Sequence, residues 1–299
     1  MSSGTWFSFQ DTEERVFTMR KTGFAEAPAP WTPMTVPLEG LRLLLERLAG
    51  NSRRGGDPFP LPFGLPDVDR VLGGGLLRNA LHEVTPTVEG DATAAAGFAS
   101  ALLARALVSG KKPVLWVRHE YATLEDGVPY GPGLAAFGLD PSRLLFVLAV
   151  NAREVLEAME QALRSGTLAA VLGELRGTSR LDLRATRRLS LAAARGATPG
   201  LLLRLGASEK QRTRPISAAT RWRIASLASG EAAANGIGAP RFAAELVRNR
   251  RGPAASFSLE WRTHDQTFIL FPALRERLAP TVVDRSDPAQ TQARLRASA

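Results

Sequence analysis

The sequence predicts an α/β fold, a mainly parallel sheet flanked by helices, and three observations predict it. Short apolar runs at 80–84, 114–117, 144–150, 168–172 and 199–205 read as strands of a buried sheet. Stretches with helical character, 91–110, 152–164 and 183–195, separate several of them, the alternation expected of parallel strands joined by crossover helices. A turn-rich Gly73-Gly74-Gly75 precedes the first strand, and a loop at 85–90 follows it and opens a helix near Asp91. That is the layout of a nucleotide-binding αβ unit.

A chain of 299 residues holds one large α/β domain with appendages or two small domains. A hydrophobic share of 44% with 22% charged is ordinary for a globular protein. No apolar run approaches the ~20 residues that span a bilayer, and the first residues lack a basic region followed by an apolar one. The expected compartment is therefore the cytoplasm, with no membrane partner. The absence of Cys excludes disulfides, thiol catalysis and Cys-ligated metal. His82, His119 and His264 form no ligand spacing, so no metal is expected. The net charge of +9 is carried mostly by Arg, and it is uneven: residues 176–262 hold 17 Arg and Lys against five acids. Such a balance suits a polyanion or an acidic protein surface.

Taken in order, residues 1–37 contain four Pro and little periodicity and read as a poorly ordered arm. Residues 38–62 are an amphipathic helix, with Leu38, Leu41, Leu45 and Leu48 on one face, and a Gly/Pro/Asp linker. The helix packs either on its own domain or on a neighbouring subunit. Residues 63–278 form the α/β domain, and 279–299, rich in Pro, Asp, Gln and Ser, read as a disordered tail. Within the domain, Asn151 followed by Glu154 caps the 152–164 helix, whose buried face is Val155, Leu156, Met159 and Leu163 and whose stop is Gly166. Ser179 and Asp182 make a second capping start, for a helix carrying Arg184, Arg187, Arg188 and Arg195. Near the C-terminus, 241–248 and 256–261 read as a hairpin of strands and 267–271 as a last strand. The segment from Gln266 to Phe271 also has the form of a short clamp-docking motif, which an apolar strand explains equally.

The loop after the first strand lacks phosphate chemistry. A phosphate-cradling loop reads G-x-x-x-x-G-K-[ST], with backbone N–H groups around the phosphates and a Lys neutralising them. Here the segment reads TPTVEGDAT, with Thr85, Gly90, Asp91, Ala92 and Thr93 in the loop and helix start. No Lys occurs between Lys21 and Lys111, and no Arg from Asn79 through Ala104, while Glu83, Glu89 and Asp91 make the stretch acidic. A triphosphate brought there meets repulsion, and no nucleotide cofactor is expected.

The run FGLPDVDRVLGGGLLRNALHEV resembles the segment before the phosphate loop of RecA-type ATPases, and the later pieces follow RecA order. The lost phosphate loop, the Arg221-Trp222 pair and the closing RNRRGPAASFSLEW make the chain most similar to the ImuA family, RecA-like partners of a mutagenesis cassette often grouped with SulA division inhibitors. The resemblance spans about residues 38–272. It implies a RecA-like fold of the P-loop NTPase type with a degenerate phosphate loop. It further implies an accessory role in damage-induced, error-prone translesion synthesis, with ImuB, an error-prone polymerase α-subunit and RecA as partners.

Measured against that pattern, the strand at 168–172 should end in a metal-positioning Asp but runs into Gly173-Glu174. Glu120 stands near the place of the RecA glutamate that activates water, where it is either that group or a plain surface carboxylate. RecA's second DNA-binding loop corresponds here to a segment with Lys210, Arg212, Arg214, Arg221 and Arg223 around Trp222. Guanidinium and aromatic groups together suit single-stranded DNA. Strand alternation, however, turns Trp222 to one face and the Arg pair to the other. The expected contact residues, for DNA or for a protein, are this cluster with Arg184, Arg187 and Arg188. Three readings follow: an accessory protein without catalysis, an active RecA-like DNA-dependent ATPase, and a SulA-like division inhibitor acting by protein binding.

Overall fold

The computed structural model describes residues 8–9, 17–18, 38–51, 59–177, 181–229 and 238–271. Most of the arm at 1–37, linker residues 52–58, the cap at Ser179 and the tail at 279–299 lie outside them. A two-residue ladder pairs β1 (Ser8–Phe9) with β2 (Phe17–Thr18). Then come α1 (Leu38–Asn51), α2 (Pro66–Leu72), β3 (Leu81–Pro86), α3 (Ala92–Val108), β4 (Val114–His119), α4 (Glu120–Asp126), α5 (Gly131–Ala136) and β5 (Leu144–Ala149). They are followed by α6 (Ala152–Ser165), β6 (Ala170–Arg176), α7 (Leu183–Gly196), β7 (Gly200–Leu205), α8 (Glu209–Arg212), β8 (Thr220–Leu227), β9 (Arg241–Asn249), β10 (Ala255–Arg262) and β11 (Thr267–Leu270).

Strands β3 to β11 make one nine-stranded sheet in the order β11-β10-β9-β8-β3-β7-β6-β4-β5. The six strands from β8 to β5 run parallel, and β9, β10 and β11 add an antiparallel extension beyond β8. Sequence and structure agree on this mainly parallel sheet flanked by helices. The late strand β7 inserts between β3 and β6, so the loop after β3 and the end of β6 sit one strand apart at the carboxyl edge. Ligands of open α/β sheets bind at that edge.

Each face carries its own core. Against one face lies α3, whose small Ala95, Ala99 and Ala101 let Phe98 reach deep into the sheet. Phe98 meets Phe63, Trp222 and Phe268 at ring-centroid distances of 6.1, 5.6 and 5.6 Å, spacings at which aromatic pairs attract. Phe63 is brought there by a strap. The Asp69 carboxylate accepts from the N–H groups of Phe63, Gly64 and Leu65, and Leu61 bridges Leu76. The glycine run makes that bridge possible: a Cβ on Gly75, at φ 123°, would sit 2.3 Å from the Leu61 carbonyl oxygen. The motif that resembles RecA is thus a packing device.

The other face carries α1, α6 and α7. The Asn151 side chain accepts from the N–H groups of Arg153 and Glu154, and Gly166 ends α6 in the left-handed conformation. Asp182 caps α7 through the N–H of Ala185. Leu41 and Leu45 of α1 are buried in the same core as Val155 and Met159 of α6. The apolar face of α1 therefore packs on its own domain. The segment Glu89–Val108 is long and apolar enough to cross a membrane, contrary to the expectation that no run is. It contains α3, most of which is buried against the sheet.

Candidate functional site

The loop after β3 is stapled by the protein's own groups. With Gly90 as the last glycine of the phosphate-loop frame, Thr85, Asp91 and Ala92 occupy the first Gly, the Lys and the hydroxyl positions. Strand β3 runs on through Pro86, and the Thr85 hydroxyl donates to the Trp222 carbonyl at 3.1 Å. Asp91 is buried at the head of α3. It accepts from the Ser226 N–H at 2.9 Å, the Ser226 hydroxyl at 3.0 Å and the Val88 N–H at 3.3 Å. A carboxylate suits the positive end of a helix, and this one stands at the start of α3 with its hydrogen bonds going to Ser226 and Val88. Thr93 is exposed on the first turn of α3, and no atom lies within 4 Å of a Cβ built on Gly90.

The end of β6 is closed in the same manner. Strand β6 continues to Arg176, past the predicted end at 172, so Gly173 and Glu174 lie inside it. Glu174 is 2% exposed; it pairs with Arg118 of β4 at 2.9 Å and accepts from the Trp116 indole at 3.1 Å. Arg118 also donates to the carbonyls of Gly127 at 2.7 Å and Ala122 at 3.1 Å, which ties down α4 and the turn after it. Gly173 has a packing reason: a Cβ there would lie 1.9 Å from the Met159 sulfur of α6. Glu120 is exposed at the start of α4, its carbonyl accepting from the Thr123 hydroxyl. No group of three or more acids and histidines among the described residues is placed to hold a metal.

The basic cluster divides into ion-paired and exposed cations. Arg212 spans Glu209, at 2.7 Å, and the Ala207 carbonyl. This pairing, with Arg223 further off, holds the Glu209 carboxyl below its usual range. Arg223 lies 3.6 Å from Glu245 and 3.9 Å from Glu209. Arg221 pairs with the fully buried Glu83 and donates to the Arg214 carbonyl. Trp222 is in the core, not beside the cations: it is fully buried on the opposite face of β8 from Arg221 and Arg223. Lys210 and Arg214 are exposed. Arg184 and Arg187 point outward from α7, and Arg188 pairs with Glu160 of α6.

Sequence reasoning counted Glu83 only toward the acidity of the loop stretch and passed over Arg204. Arg204 of β7 pairs with Glu83 at 2.6 Å and donates to the Gln211 carbonyl at 3.1 Å. Glu83 thus anchors the loop carrying Lys210 and Arg214 through two guanidinium groups that each hold a loop carbonyl. The only signal for it was a charged residue inside an otherwise apolar strand. The end of the 266–271 segment is also structural: Gln266 donates to the Gly138 carbonyl, and Phe268 is buried.

Fold and site together define a mainly parallel α/β domain in which the positions matching the loop Lys and the strand-end Asp of the RecA pattern hold Asp91 and Glu174, each engaged by internal hydrogen bonds or an ion pair. No protein-family profile matches the chain. It is 35% identical over 215 residues to the protein ImuA of two Caulobacter vibrioides strains, covering 68% of this chain and 84% of theirs. The chain belongs to the ImuA family. The crystal structure of the RadB recombinase aligns over 70% of this chain and 98% of its own, at 19% identity and a TM-score of 0.49.

Proposed function

We propose that the protein is a cytoplasmic accessory factor of error-prone translesion DNA synthesis, working by assembly and without nucleotide hydrolysis. The observation that carries this reading is Asp91. An acid stands at the lysine position, already hydrogen-bonded to both donors of Ser226. A γ-phosphate there would meet a carboxylate in place of the cation that phosphoryl transfer needs, a loss worth orders of magnitude in rate. ImuB, an error-prone polymerase α-subunit and RecA are the partners the family suggests. Single-stranded DNA is the ligand that suits the exposed cations Lys210 and Arg214.

The test is a titration of labelled single-stranded DNA at two salt concentrations, with and without ATP and magnesium. The expected result is binding that weakens with salt and ignores nucleotide. The double variant Lys210→Ala/Arg214→Ala should bind less tightly and lower the salt slope by about 0.7 for each phosphate no longer neutralised. Binding that strengthens with ATP overturns the reading without nucleotide. Absence of binding at low salt removes DNA as the ligand and points to protein partners alone, a division protein among them.

A further inference from the structure

The sheet holds a like-charge pair where β8 begins and β9 ends. Strand β9 joins β8 through a bulge: Trp222 stands opposite Leu246, and the next pair is Arg221 with Arg248. Val247 is the extra residue, so Arg248 takes the place that regular pairing would give to a valine. Like charges directly opposite each other destabilise a sheet, and bulges re-aim side chains beside functional sites. Arg221 is balanced by the buried Glu83. Arg248 is exposed, has no acidic partner among the described residues, and meets the Ile216 carbonyl at 3.3 Å.

More cations gather around that pair. The Arg221 guanidinium holds the Arg214 carbonyl. The Arg250 N–H donates to the Ala219 carbonyl at 2.9 Å, which fastens the hairpin after β9 to the end of the loop carrying Lys210 and Arg214. Lys210, Arg214 and Arg250 are exposed like Arg248, and none has an acidic partner among the described residues. Residues 210–223 and 246–259 together contain eight Arg and Lys and no acid. The acids next to them are engaged: Glu209 with Arg212, Glu245 with Arg223, Asp67 of α2 with Arg70, and Asp69 with the N–H groups of Phe63, Gly64 and Leu65. Arg251 differs from its neighbours, for its guanidinium is turned onto the Gly73 carbonyl at 2.9 Å.

Protein interfaces are anchored by buried aromatic and apolar side chains. Val247, 37% exposed, is the one large apolar side chain exposed in these two segments. Cations without anchors fit a chain of phosphates, whose binding comes from charge.

We infer that Arg248 and Arg250 neutralise phosphates of the strand held by Lys210 and Arg214, so that a single-stranded nucleic acid crosses from the loop after β7, over the bulged β8–β9 junction, to the hairpin. This path rests on the DNA reading of Lys210 and Arg214 given above. A phosphate at Arg248 also offsets the repulsion that the bulge creates.

Titration of the full chain with labelled single-stranded DNA over a range of salt tests it. Arg248→Gln/Arg250→Gln should bind more weakly and lower the salt slope by about 1.4, two phosphates at ~0.7 each. Arg195→Gln/Arg262→Gln removes two exposed charges elsewhere and should leave the slope unchanged. Arg250→Gln alone keeps the Arg248 hydrogen bond and should lower the slope by about 0.7, which covers the case of a double variant that fails to fold. In the wild type, DNA should protect Arg248 and Arg250 from the arginine reagent phenylglyoxal and leave Arg195 and Arg262 reactive. An unchanged slope in the hairpin variants, or hairpin arginines that react equally with and without DNA, overturns the path and leaves Lys210 and Arg214 in place. A control variant that loses as much as the hairpin variant overturns it too, since net charge then explains the loss. A wild type that binds no strand at low salt overturns the DNA reading and the path together, and assigns the cations to an acidic protein.

Discussion

Replacing Glu83 by Gln removes one charge from the bottom of a three-residue cluster. Glu83 is 0% exposed, and its partners Arg204 and Arg221 are 5% and 14% exposed by side chain. Gln fills the same space but leaves two guanidinium groups with no carboxylate in a site that water barely reaches. Removing one partner of a buried ion pair costs about 3–5 kcal/mol. For a domain of this size 1 kcal/mol is worth ~2–4 °C in Tm, so Glu83→Gln should unfold roughly 10 °C below wild type. The loop 206–214 should loosen first, because Arg204 and Arg221 hold its Gln211 and Arg214 carbonyls. Urea titration gives the global loss, and limited trypsin cleavage at Lys210 and Arg214 reads the loop. A second variant, Glu83→Leu/Arg204→Met, tests the cause: taking out opposite charges together should cost less than Glu83→Gln alone. A Glu83→Gln loss below about 1 kcal/mol, or a double variant worse than the single one, would refute the account of Glu83 as the charge anchor.

Two further predictions concern the buried interior. His82 is fully buried between the Thr220 hydroxyl and the Leu77 carbonyl, and desolvation lowers its pKa from 6.5 to about 4. The folded chain therefore refuses a proton that the unfolded chain takes up below pH 6.5. Stability is full above pH 6.5 and falls by ~3 kcal/mol as the pH drops to about 4. His82→Gln should remove that part of the slope in urea unfolding between pH 7 and pH 4; identical slopes would count against it. Gly173→Ala should destabilise by about 1–3 kcal/mol by overpacking against Met159. Met159→Ala in the same chain should recover part of the loss, and calorimetry of the three variants checks it.

Local physics made the frame readable in advance. The apolar strands and the cap at Asn151 announce themselves over a few residues, because strand burial and helix capping depend on near neighbours. The alternation along 221–224 placed Trp222 inside for the same reason. The missing Lys and Asp of the two motifs were legible as absences. The bonding partners of the acids in this region were not, since the groups that satisfy them come from far along the chain. Asp91 meets Ser226 across 135 positions, and Glu83 meets Arg204 and Arg221 across 121 and 138.

Those meetings exist only because β7 inserts beside β3 and β8 pairs on its other side, an order that no local pattern encodes. The same order sorted the arginines. A guanidinium carries its charge wherever it lies, so the sequence could count 17 basic residues over 176–262 but not separate the exposed Lys210 and Arg214 from the ion-paired Arg212, Arg221 and Arg223. By itself the sequence determined the elements, the basic charge and the absence of the loop Lys and the strand-end Asp, all properties of composition and short-range pattern. The tertiary structure alone decided which charges are buried and paired and which faces remain open, because burial and pairing are set by strands and helices that meet only in the folded sheet.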